Sequence, residues 1–430
     1  ILPEIRSTLS KHNWETHRAV IKYGDSQDEG EHTMVQHIQS LDPCTHQAYA
    51  VFKRSEAWYT SKHDTTRSKA HAESRKERKA CFGDRKKGIK NLSSAISKPP
   101  SRPLLHAKRT KVGASGQPIG SYTTNPAEVD SIAKEAWQNI YKGNVEDMAA
   151  AVSNFMRKYG AFIYTSAPWV VQPIDGEVVR DVCIHEEKTA AGMDKWETAE
   201  LALLANELVE MIALLLNTIE DGAPWPDGTT HASAAYLSKD PDKMKDPLAF
   251  RVLLILAILY RKWSTIRLRS LRPWTDAWSL PEMYAGAGTL GAEDAWYEVA
   301  TDFEQWDSAD ISFVGGTVDI AKCFDQMLRT LVYALARAAG MPVQVLDAYR
   351  RFQESILVHN TIAGGVGTGF KRRCGIPQGC PFSMFTALLM RPWVLLARSL
   401  GACPRILADD ILLLVHGKGM LKKFAVGLSK

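Results

Sequence analysis

The chain reads as an α+β protein, and three observations predict it. Short apolar segments of strand length alternate with longer stretches whose apolar residues recur at helical spacing. No internal repeat is present. Of the 430 residues, 45% are hydrophobic, enough for a substantial core spread over two or three domains. The divisions read from composition are a basic, poorly compact arm over 1–124, a helical region over 125–310, and a strand-and-helix region over 311–430.

Taken in order, the arm is predicted to be helical fragments or disordered. Within it, residues 51–112 carry eighteen Lys or Arg against five Asp or Glu, in a chain whose formal net charge is only +5. The basic residues cluster as Arg75-Lys76-Glu77-Arg78-Lys79, Arg85-Lys86-Lys87 and Lys108-Arg109-Thr110-Lys111. Such a block either contacts nucleic acid, releasing counterions as it neutralises phosphates, or is a solvated linker or nuclear import signal. A helix follows Pro126, with Val129, Ile132, Ala133, Ala136 and Trp137 in helical register. A second is expected over Thr198–Thr218, burying Leu201, Leu204, Leu208, Met211, Ile212 and Leu215. Strands are expected around Val252–Leu256, Thr317–Ile320, Thr361–Gly364 and Arg405–Val415. Helices should fill Phe324–Ala339, Val343–Leu357 and Ser383–Leu400, the first and last stopped by Gly340 and Gly401.

Several classes are excluded. The seven cysteines show neither CxxC spacing nor a disulfide-like ladder, so a zinc module or secreted scaffold is not indicated and a reducing intracellular compartment fits best. The histidines show no ligand spacing. The longest apolar run, Val252–Tyr260, is too short to cross a bilayer, so no membrane partner is expected. A start at Ile1 and a stop at Lys430 read as cuts in a longer frame.

Chemistry concentrates in three motifs. Thr317-Val318-Asp319-Ile320-Ala321-Lys322-Cys323-Phe324-Asp325 puts a carboxylate at a strand end, followed by a helix whose Phe324 could roof the same pocket. Lys322 and Asp325 read as an ion pair or as caps of that helix. Cys374-Gly375-Ile376-Pro377-Gln378-Gly379-Cys380-Pro381 is a turn whose glycines permit close approach to a planar ligand, with Gln378 offering a donor and an acceptor. Leu407-Ala408-Asp409-Asp410 sets two carboxylates at a tight turn between apolar strands. Each alone is an ordinary turn or cap. Three carboxylates on a buried sheet, however, would need compensation, and divalent cations are the usual kind. Arg251 reads either as a ligand-binding cation or as a structural ion-pair partner. Tyr260 and Trp263, at helical spacing among apolar residues, read as core.

In this order the motifs resemble palm motifs A, B and C of the reverse transcriptases of non-LTR, LINE-type retrotransposons: Asp-x-x-Lys-x-Phe-Asp, Gly-Ile-Pro-Gln-Gly-x-Pro-x-Ser and Ala-Asp-Asp. Upstream, Lys188 to Asp194 is similar to the family's fingers signature, and Phe250-Arg251-Val252-Leu253 to its Tyr-Arg-Pro-Ile. Leu259 to Trp263 and the glycines Gly286 and Gly288 follow in the family's order. Leu407 stands where the family has Tyr or Phe, and Val252 where it has Pro. The resemblance covers roughly residues 185–420.

It implies a right-hand polymerase, fingers and an antiparallel palm sheet backed by helices, with the thumb expected to be absent from this chain. It implies RNA-directed DNA synthesis on an RNA template from a DNA primer and deoxynucleoside triphosphates. Two Mg²⁺ ions, with Mn²⁺ as a substitute, would be held by Asp319, Asp409 and the Ile320 carbonyl, with Asp410 a supporting catalytic carboxylate. Phe324 would exclude a ribose 2′-hydroxyl, Gln378 and Gly379 would line the nascent base pair and template, and Arg251 and Lys239 would grip the triphosphate. Nuclear work is expected on the same ground. A non-catalytic nucleic-acid-binding remnant of a mobile element is the alternative, and an RNA-dependent RNA polymerase a third reading.

Overall fold

The computed structural model describes residues 103–109 and 122–429, apart from 144, 185–188, 240–242, 244–245 and 286–289. Most of the predicted basic arm, including Arg75, Lys76, Arg78, Lys79, Arg85, Lys86, Lys87 and Lys111, lies outside the described residues, as do Lys188, Gly286 and Gly288.

The described residues form a mixed α+β protein with thirteen α-helices and three small sheets. Strands β1 (Ala107–Lys108) and β2 (Tyr122–Thr123) pair antiparallel ahead of helix α1 (Pro126–Lys142). Asn125 caps α1, its side chain accepting from the backbone of Ala127 and Glu128, and Pro126 fills the first turn. As expected, Val129, Ile132, Ala133 and Trp137 are buried, and Ala136 packs at the edge of the core. Helices α2 (Met148–Tyr159) and α3 (Gly176–Ile184) follow.

The single helix expected over Thr198–Thr218 is two, α4 (Thr198–Leu201) and α5 (Asn206–Glu220). Its predicted face is also corrected. Met211 is 62% exposed, and the buried residues are Val209, Ala213, Leu216, Ile219 and Glu220. Leu204 and Ile212 pack at the edge of the core while Leu214 and Leu215 are exposed, so apolar spacing alone does not give the rotation. A buried ion pair does: Glu220 accepts from Arg267 Nε and Nη2 (2.6 and 2.5 Å) and from Trp263 Nε1 (2.7 Å).

Strand β3 (His231–Ser238) pairs antiparallel with β4 (Phe250–Ile255) and parallel with β6 (Leu357–Ile362), which turns through Ala363-Gly364 into β7 (Gly365–Val366). Helices α6 (Ile258–Ser270), α7 (Arg272–Trp278) and α8 (Ala292–Ser308) lead to strand β5 (Phe313–Asp319). The helix expected over Phe324–Ala339 is interrupted, giving α9 (Cys323–Gln326) and α10 (Arg329–Ala338). The carbonyls of Phe324 and Met327 are taken by the backbone N–H groups of Ile376 and Gly375 (both 2.8 Å), so a tertiary contact replaces the intrahelical ladder. Helices α11 (Val343–Ser355) and α12 (Phe385–Ser399) fall where predicted. Strands β8 (Cys403–Leu407) and β9 (Asp410–His416) form a hairpin, closed by α13 (Met420–Leu428).

The second sheet is antiparallel, in the order β5-β9-β8. Behind it Ala397, Ala402, Leu413 and Val415 make a small cluster with Trp393, Met420 and Phe424 of α12 and α13. The main core is aromatic: the Tyr260 and Phe352 rings stack at 3.5 Å, with Trp225 edge-on to both and Trp263 beside them. Tyr260 and Trp263 are fully buried, as read from their spacing. No helix among the described residues is long and apolar enough to cross a membrane.

Candidate functional site

The site begins at the turn between β8 and β9. Leu407 and Asp410 are register partners, so Ala408 and Asp409 alone make the connection, and Ala408 takes the left-handed φ of 58°. A side chain is disfavoured there by 1–2 kcal/mol or so. Such strain persists where surrounding structure demands it, often at functional sites. On the neighbouring strand, Asp319 ends β5 directly opposite Asp410. Three residues on, Lys322 is again left-handed (φ 54°) and turns the chain into α9.

Asp319 and Asp410 are exposed and Asp409 is half-buried. The expectation of carboxylates on a buried sheet is therefore corrected. β5 is an edge strand, exposed or half-buried along its length, and Gly315 and Gly316 leave two of its positions without side chains. Burial does not force a counter-charge here. The electrostatic case rests instead on two like charges facing each other across a strand pair, next to a third. None of the three is in an ion pair among the described residues.

Asp319 and Asp409 look into one cavity of about 350 Å³, whose lining also includes Ile320, Phe324, Gln378, Gly379, Arg251 and Lys239. These residues come from both strand motifs, the glycine turn and the β3–β4 hairpin. Asp410 is not among the lining residues. Arg251 and Lys239 are exposed, at the two ends of the β3–β4 connection, where Lys239 N–H donates to Ala249 O. Arg251 forms no ion pair with a described residue. The cavity thus has a carboxylate wall and a guanidinium-ammonium wall.

Five further lining residues, Leu253, Lys322, Cys323, Asp325 and Ser383, lie within the quoted motifs without having been given a role in the cavity. Lys322 neither pairs with Asp325 nor caps a helix through its side chain. Its ammonium donates to Leu248 O (2.6 Å) and Phe250 O (2.9 Å) and lies 4.5 Å over the Trp137 ring, tying α9 to β4. Burial, then the charge of Lys239, lowers its pKa. Burial pushes the Cys323 thiol up to about 12, helped by Asp409 and Asp319. Asp325 is buried; its carboxylate accepts from Gln378 Nε2 (3.4 Å) and lies 4.0 Å from Arg372 Nη1. Gly375 and Gly379 both have φ 89°, and a Cβ on Gly375 would sit 2.6 Å from Asp325 O. Glycine at 375 is thus required by approach as well as by φ.

Of the basic residues predicted to contact nucleic acid, two are described. Lys108 is exposed on β1. Arg109 forms a two-pronged pair with Glu128 (2.6 and 2.9 Å), which docks it on α1.

Among the described residues no three His, Cys, Asp or Glu side chains are grouped so as to hold a metal ion. Two carboxylates on one cavity wall, with the second lone pair of Ile320 O, are hard oxygen donors of the kind Mg²⁺ takes alongside substrate phosphates and water. The first lone pair of that carbonyl accepts from Cys323 N–H at 3.1 Å. The residues present fit such an ion on that condition. No protein-family model matches the chain, and no curated protein matches it.

Proposed function

We propose that the chain is an RNA-directed DNA polymerase module of the kind found in non-LTR retrotransposons, extending a DNA primer on an RNA template. The observation that carries the reading is the shared cavity of Asp319, Asp409, Phe324, Gln378, Arg251 and Lys239, residues far apart in sequence. A surface that sets carboxylates against cations suits a triphosphate arriving with divalent metal. In this reading the β5-β9-β8 sheet serves as the palm and the β3–β4 hairpin as part of the fingers.

The reaction forms a bond between the primer 3′-oxygen and the α-phosphorus and breaks the α–β phosphoanhydride, releasing pyrophosphate, while the proton of the 3′-hydroxyl passes to water. Asp319, Asp409 and the Ile320 carbonyl would hold two Mg²⁺ ions, which when bound make the primer hydroxyl acidic and neutralise the leaving pyrophosphate. Arg251 and Lys239 hold the triphosphate by charge-assisted bonds. Phe324 closes the side of the cavity against a 2′-hydroxyl. Gln378 and Gly379 face the base pair. Asp410 supports the site from outside the cavity.

The test is Mg²⁺-dependent deoxynucleotide incorporation on a primed RNA template, parent against Asp409→Ala. Incorporation by the parent alone is expected. Equal incorporation by a folded Asp409→Ala variant overturns the site. A folded parent that binds RNA in a salt-dependent manner yet incorporates nothing overturns the activity and favours the binding remnant. Phe324→Val is expected to admit ribonucleotides; unchanged sugar discrimination removes the gate role.

A further inference from the structure

Asp325 is 2% exposed, and the groups around it compensate its charge sparsely. Arg372 stands at 4.0 Å, the outer limit of an ion pair. Its guanidinium is committed in part to the Tyr141 ring, 5.3 Å away, and its backbone carbonyl accepts from Arg329 Nη2 at 2.7 Å. The hydrogen bond to the Asp325 carboxylate comes from Gln378 Nε2 (3.4 Å). Burial raises the pKa of Asp325, and Arg372, Lys322 and Gln378 oppose the shift without cancelling it. A leucine would fill this place without that cost, so the carboxylate calls for a purpose.

Its chemistry supplies one. An ionised carboxylate only accepts, whereas a glutamine amide both donates and accepts. Against Asp325, Gln378 has one workable orientation, NH₂ inward and carbonyl oxygen toward the cavity that both residues line. The backbone is fixed to match. Gly375 and Ile376 donate to Met327 O and Phe324 O (both 2.8 Å), and Cys374 Sγ sits among three carbonyls, Ile140 O and Tyr141 O at 3.2 Å and Asp325 O at 3.3 Å. The turn carrying Gln378 and the helix carrying Asp325 are therefore one rigid piece.

We infer that Asp325 is a positioning residue: its buried carboxylate holds the Gln378 amide in a single orientation, so that the cavity always meets the same order of acceptor and donor when a nucleotide enters. This rests on the polymerase reading and adds to it a residue that acts only through another.

Two measurements test it. In protein labelled with ¹⁵N on glutamine side chains, the Gln378 NH₂ signals, assigned by their loss in Gln378→Ala, should be well separated and slow to exchange. Asp325→Leu should collapse them to ordinary solvent-exposed values; unchanged signals in the folded variant overturn the inference whether or not the parent polymerises. In single-nucleotide incorporation, Asp325→Leu should raise KM for the correct deoxynucleotide about fivefold, the worth of one hydrogen bond, with kcat little altered. Asp325→Asn, which keeps a polar partner for Arg372 and permits both amide orientations, should give a smaller rise and guards against misfolding of the leucine variant. On a Gln378→Ala background neither change should move KM further; an additive effect means a general structural role and overturns the inference. Absence of incorporation by the parent overturns the polymerase reading instead, and the amide signals still decide the role of Asp325.

Discussion

The two larger sheets are built on opposite plans. The β4-β3-β6-β7 sheet joins a core of stacked aromatics closed by a buried ion pair, and its central strand β3 alternates buried and half-buried residues. The β5-β9-β8 sheet has a small cluster behind it, an exposed edge strand with two adjacent glycines, a left-handed alanine at its turn and facing carboxylates. One is assembled for stability and the other for access. The cavity lies where they meet, with cations from the first and carboxylates from the second.

Four substitutions can break or sharpen that contrast. The largest effect is expected at the open sheet and on activity alone: Asp319→Ala should lower incorporation at least a hundredfold or so, as for loss of one catalytic charge contact, while the melting temperature holds. A matching fall in melting temperature would make Asp319 structural. Next is the closed core. Arg267→Met removes one partner from Glu220, where both side chains are at most 4% exposed, and should cost roughly 3–5 kcal/mol in urea unfolding. A loss under about 1 kcal/mol would mean that Trp263 alone satisfies Glu220. Ala408→Gly relieves the left-handed strain and should stabilise by about 1 kcal/mol, less whatever chain freedom glycine adds to the unfolded state. Its activity shows whether a stiff turn matters: unchanged incorporation would leave the strain without a catalytic purpose. Smallest is Asp410→Asn, expected to gain about 0.5 kcal/mol at low salt by removing cross-strand repulsion, and to lose the gain at high salt. Destabilisation instead would show that Asp410 has a partner of its own.

The three site motifs were legible in sequence because each joins a chemically unusual residue to a local turn signal. The β8–β9 hairpin, α1, α11 and α12 were legible for the same reason, with apolar period and end signals agreeing. Strand β3 was missed because His-Ala-Ser-Ala-Ala-Tyr-Leu-Ser is poor in β-branched residues; pairing on both edges, not propensity, makes it a strand. The rotation of α5 was misread because a buried charge 47 residues away in sequence sets it. From sequence, Lys322 and Asp325 read as an ion pair or as caps of the helix, and Lys322 does stand at the N-cap of α9, though not through its side chain. The partners of their side chains, Leu248, Phe250, Gln378 and Arg372, are non-local and leave no periodic trace.

The two backbone bonds between the α9 break and the glycine turn have a consequence for how this protein can vary. They close residues 327–375 into a loop whose ends are held together, with α10, α11, β6 and β7 inside it. A surface insertion at Gly364, where added atoms meet nothing within 4 Å, lengthens that loop without altering the spacing of Phe324 and Gln378. The same bonds limit motion. A cavity that opens and shuts cannot do so by parting these two walls.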